Sequence, residues 1–201
     1  MGKFFKRYAL EIYTVLGMAF MVATSFMNNL STIQLFVVCF NFLFILHEWE
    51  ENAYPGGFLN LITRLIERDV DEDTRRASRI PTGVLLITLT LLPFFFDSIA
   101  LFSVSIAVFG IFECFVHIMG IKIFGLKKKY TPGMVTAICE GALGICLIVY
   151  LAMNHLGAWY DYTFGPFVFL FCFAMMQRSL MAMIGLRYKD MFAIMKKRLG
   201  K

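Results

Sequence analysis

From Ser98 to Ile121 the only formally charged residue is Glu113. A helix crossing the hydrocarbon core of a bilayer needs about 20 consecutive, mostly apolar residues, and a run of this kind restricts the chain more than any other feature. The pattern recurs along the chain, at about Glu11–Met27, Thr32–Glu50, Pro81–Phe96, Pro132–Met153 and Phe164–Gly185. With 59% hydrophobic and only 16% charged residues, the chain lies outside soluble domains, which run nearer one half and one quarter. The expectation is an all-α, polytopic membrane helix bundle: one domain over residues 1–201, with six transmembrane helices.

Lys and Arg accumulate in cytoplasmic loops. They stand here at Lys3, Lys6 and Arg7, between Arg64 and Arg79, from Lys122 to Lys129, and from Arg178 to Lys201, which together hold all 19. The turns at Asn28-Asn29, Phe96–Ser98 and Asn154–Thr163 hold none. Both termini are therefore expected in the cytoplasm, with a bacterial inner membrane as the setting. The net charge of +5 then reflects topogenic residues facing anionic headgroups, and nucleic acid is excluded as a partner. Lys6 stands where a myristoylation site carries Ser or Thr, and the first span lacks a small-residue cleavage site, so it is expected to be a retained helix. The five cysteines lie inside spans without paired spacing, as small buried apolar residues do.

The polar linker, about residues 52–79, opens with a Tyr54-Pro55-Gly56-Gly57 stop. FLNLITRLIERD then gathers Phe58, Leu61, Ile62, Leu65 and Ile66 on one face, the pattern of a helix lying in the membrane interface. Such a helix can simply anchor the protein, or it can also cover whatever HEWEE builds. The basic tail, about residues 186–201, has the same amphipathic character.

Ionisable side chains within membrane helices are costly and mark functional sites by default. Span two ends in HEWEE, where Glu50 and Glu51 follow His47 by three and four residues and share its face. Glu48 is turned away by the ~100° step per residue. In span four Glu113 precedes His117 by one turn, on a stripe with Ser103 and Gly110. Span five carries Gly133, Thr136, Glu140 and Gly144 as a comparable stripe, with Glu140 roughly 12 Å in from Pro132. Arg178 reaches a similar depth in span six, as a charge-compensating or substrate-binding candidate. Four helices thus place acids, histidines and an arginine in one layer.

Two histidines with several carboxylates suit a divalent metal, zinc ahead of iron or manganese. His47, His117 and one of Glu50 and Glu51 are the expected ligands, with Glu113 or Glu140 as general base. A metal-free polar cluster balanced by Arg178 satisfies the same burial argument.

His47-x-x-Glu50-Glu51 at the end of an early span resembles the motif of the HXXEE family. Glu113-x-x-x-His117 and Tyr130-Thr131-Pro132-Gly133-x-x-Thr136 are similar to its later blocks, so the resemblance runs from about His47 to Glu140. It implies a small polytopic membrane protein without an assigned activity, and it favours His47, Glu50 and Glu51 over Glu48. It supplies no substrate.

The leading expectation is a metal-dependent hydrolase of a lipid or other amphipathic small molecule, with membrane lipids as surroundings. One alternative is a carboxylate-rich di-metal oxidative enzyme acting on acyl chains. Another is a non-enzymatic, proton- or ion-coupled transport protein or an immunity-type membrane protein, with Glu113 and Glu140 as the proton or cation sites.

Overall fold

The computed structural model describes residues 2–187 and 189–190, so most of the basic tail lies outside the described residues. Nine helices and no strand occur among them: α1 (Gly2–Arg7), α2 (Ala9–Ser25), α3 (Thr32–Asn52), α4 (Phe58–Leu65), α5 (Glu72–Ala77), α6 (Arg79–Phe95), α7 (Ala100–Ile123), α8 (Met134–Met153) and α9 (Trp159–Met183). Five helical segments are long and apolar enough to cross a membrane: α3, the stretch Glu72–Phe95 that includes α6, α7, α8 and α9. The first expected span is the apolar α2, which has 17 residues and is shorter than these five.

Local chemistry sets the helix ends. Ser31 and Gln34 form a capping box at the start of α3, the Ser31 hydroxyl accepting from the Gln34 amide at 3.1 Å and the Gln34 side chain accepting from the Ser31 amide at 3.0 Å. The same hydroxyl donates to Asp97 at 2.6 Å, tying this end of α3 to the α6–α7 turn. The sixth expected span began at Phe164, but α9 starts at Trp159. Asp161 accounts for the difference, because its carboxylate accepts from the Ala158 amide at 2.8 Å and lets the helix begin a turn early.

Helix α7 sits centrally, packed along α8 on one side and α9 on the other. Fully buried Val37, Phe40, Phe44, Ile106, Leu147 and Leu151 fill the space between α3, α7 and α8. The small-residue stripes face inward, as such stripes do in membrane bundles: Gly110 of α7 lies so close to α8 that an added Cβ would stand 2.7 Å from the Glu140 carbonyl oxygen. Helix α2 is tied to α3 by bonds from the Asn41 amide to the Gly17 carbonyl, 3.0 Å, and from the Trp49 indole to the Thr14 hydroxyl, 2.9 Å. Only 11% of the apolar window of α9 is buried, so this helix is peripheral.

Candidate metal centre

Helix α3 continues through HEWEE to Asn52, so His47, Glu50 and Glu51 stay on consecutive turns of one helix. Helix α7 brings Glu113 and His117, and the start of α8 closes the site from a third direction. The Glu51 Oε1 atom lies 3.1 Å from His117 Nε2 and 3.6 Å from His47 Nε2. Glu113 Oε2 is 3.8 Å from His117 Nε2. His47, Glu113 and His117 each offer an atom within 4.8 Å of the others, a grouping that can hold a metal ion. The imidazole centroids are 5.0 Å apart with their planes at 89°.

The other nitrogen of each ring is already engaged. His47 Nδ1 meets the Thr136 hydroxyl at 3.0 Å and His117 Nδ1 meets the Thr131 hydroxyl at 3.1 Å. His117 Nε2 is buried and faces the carboxylates of Glu51 and Glu113. Metal-binding histidines characteristically have one nitrogen held by a hydrogen-bonding group and the other left to the ion.

Gly133 forms the wall opposite these rings. Its φ of +91° is a left-handed conformation that suits glycine. A Cβ there would stand 2.7 Å from both Glu51 Cγ and His117 Cε1, and 3.0 Å from His47 Cε1. The Phe58 ring, at the start of α4, lies on His117 with centroids 4.8 Å apart and planes at 31°. The amphipathic linker helix therefore does cover part of the site.

The remaining sequence candidates fall in different places. Glu50 turns from the ring nitrogens to the first turn of α8, where it accepts from the Tyr130 hydroxyl, the Val135 and Thr136 amides and the Thr136 hydroxyl. Glu140 is fully buried with neither carboxylate oxygen hydrogen-bonded, and its Oε1 stands 3.9 Å from Nδ1 of His47, not Nε2. Arg178 is exposed on α9 and forms no ion pair among the described residues. Glu48, set aside on the sequence, is buried and accepts from the Asn52 side chain at 3.2 Å. Asn52 in turn accepts from Arg79 through its carbonyl at 3.5 Å.

Sequence reasoning gave no part to Phe58 at His117 or to Thr131 as the partner of a ring nitrogen. Thr131 had one visible signal, a hydroxyl two residues before the glycine that opens a polar-striped helix.

Tyr130, in the α7–α8 connection, is pushed up to about 12 by burial and by its hydrogen bond to the Glu50 carboxylate. The folded chain thus favours the neutral phenol. That contribution to stability is intact below the ordinary tyrosine value of about 10 and is lost as pH climbs from there to about 12. Alkaline absorbance titration of wild type minus Tyr130→Phe should show one phenol ionising above the others. A difference centred at the ordinary value would contradict the bond to Glu50.

Five helical segments of membrane-spanning length and apolarity, around a buried histidine–glutamate group able to hold a metal ion, give the chain the make-up of an integral membrane helix bundle. The chain belongs to the HXXEE family, proteins of unknown function with an HXXEE motif, whose sequence model matches residues 38–150, more than half of the chain. No curated protein and no solved structure matches it.

Proposed function

We propose that this is a metal-dependent membrane hydrolase acting on a lipid or other amphipathic substrate. In this reading six helices cross a bacterial inner membrane with both termini in the cytoplasm, α2 being the shortest crossing, and the site lies in the cytoplasmic-side layer. His47, His117 and Glu51 hold one divalent ion, zinc ahead of iron or manganese. The observation that carries the reading is the convergence of two imidazole Nε2 atoms on one glutamate oxygen while both Nδ1 atoms are held by threonines.

Such an ion, when bound, lowers the pKa of a coordinated water and polarises a carbonyl. In this reading Glu113, farther from the rings than Glu51 but on the same side, takes the proton from an attacking water. Glu140, on the Nδ1 side of His47, supplies buried negative charge behind that ring. Phe58 limits access of bulk water over His117. The apolar side of α4 offers a route for a substrate with an acyl tail and a polar head. Arg178, exposed on α9, is left to the headgroup region.

The unpartnered carboxylate of Glu140 also favours a second reading, a proton or cation site in a transport protein. Elemental analysis of the purified protein separates the two. Wild type and Arg178→Gln should carry one transition-metal ion per chain, and His47→Ala and His117→Ala should carry none. Wild type without stoichiometric metal after reconstitution would sink the hydrolase reading.

A further inference from the structure

The two adjacent glutamates of the motif do different jobs. Glu51 faces both Nε2 atoms, whereas four donors converge on Glu50: the Tyr130 hydroxyl at 2.8 Å, the Val135 amide at 3.2 Å, the Thr136 amide at 2.9 Å and the Thr136 hydroxyl at 2.6 Å. Four donors on two oxygens is the pattern of an ionised carboxylate, which can only accept. Gly133, the residue that precedes α8, has no side chain to satisfy the free amides of the first turn. Glu50 satisfies two of them from another helix.

The Thr136 hydroxyl decides the rest, because it has a single proton and three neighbours. Those neighbours are Glu50 Oε2 at 2.6 Å, His47 Nδ1 at 3.0 Å and the Gly133 carbonyl at 3.1 Å. Charge and distance both direct the proton to Glu50. The oxygen then presents a lone pair to His47 Nδ1, so the neutral ring places its one proton there and leaves Nε2 bare. The Thr131 hydroxyl is arranged likewise at His117: it donates to the His117 carbonyl at 3.1 Å and accepts from His117 Nδ1.

We infer that Glu50 is a positioning residue, which acts through Thr136 to fix His47 in the Nδ1–H tautomer and thereby present Nε2 to a metal ion. The metal role rests on the site proposed above, but the tautomer does not require an ion to be bound. Replacement of Glu50 by Gln puts an amide donor among these contacts and removes the charge that holds the Thr136 proton. That proton is then free to turn to His47 Nδ1 and stabilise the Nε2–H form, which cannot bind metal through Nε2.

The experiment combines zinc titration of reconstituted protein with nitrogen-15 NMR of histidine-labelled, metal-free protein, His47 being assigned by its absence in His47→Ala. Metal-free wild type, recorded at a pH where the ring is neutral, should show a protonated Nδ1 and a bare Nε2 at His47. Glu50→Gln and Thr136→Val should lower zinc affinity by about 10–100-fold, the range for partners that orient metal ligands, with one ion still bound at saturation. Glu50→Gln should add the second tautomer, and Thr136→Ser should restore both readouts. Loss of saturable zinc binding in Glu50→Gln with the tautomer unchanged would make Glu50 a ligand and overturn the inference. A wild-type His47 with its proton on Nε2 would overturn it without any variant having to fold. If wild type shows the expected tautomer and binds no zinc, the hydrolase reading fails and the tautomer assignment stands.

Discussion

Gly133→Ala is expected to abolish stoichiometric metal binding. The new Cβ would press at once on Glu51, His117 and His47. The two rings cannot turn aside easily, because Thr131 and Thr136 hold their Nδ1 atoms. A second penalty comes from the backbone, since a side chain in the left-handed region costs about 1–2 kcal/mol. Gly125→Ala separates these effects, for Gly125 has a φ of +60° and nothing within 4 Å of its Cβ direction. Thermal unfolding should show a loss in both variants, and metal analysis a loss in Gly133→Ala alone. Wild-type affinity in Gly133→Ala would mean that the ion, if any, binds elsewhere.

Gly144→Ala should give the largest loss of stability away from the site. Its Cβ would meet the Ala107 carbonyl oxygen of α7, a backbone atom that only a shift of the whole helix can move. Overpacking of this kind costs about 1–3 kcal/mol. Gly144 lies three turns beyond Gly133, roughly 16 Å along α8, so zinc affinity should change far less than unfolding does. The measurement is unfolding in detergent or lipid beside a zinc titration. A variant as stable as wild type would show that the two helices are not in close contact at this level.

The layer of polar groups was legible because its surroundings are so apolar. In a stretch with one charge between Ser98 and Ile121, the turn joining Glu113 to His117 stands out, and the three- and four-residue spacings in HEWEE place a common face. What separates Glu50 from Glu51 is tertiary: the amides that claim Glu50 belong to residues more than 80 positions away, at a helix start that periodicity cannot place in space. Residue counting likewise gave Arg178 a depth but not a side, and α9 turns it outward. Helix boundaries slipped where a short-range cap intervened, as at Asp161, and held where Ser31 and Gln34 announce themselves. Glu48 shows the converse case, since a quarter-turn away from His47 leads not to water but to Asn52.

The contact of Phe58 with His117 bears on time rather than on equilibrium. An ion at this centre would be held by groups on α3 and α7, yet its departure past the covered face of His117 would wait on α4. The residues that set occupancy and the residue that sets turnover of the occupant would then be different. A chelator that strips such a site slowly would be reporting how often α4 lifts, and would say little about how tightly the imidazoles grip.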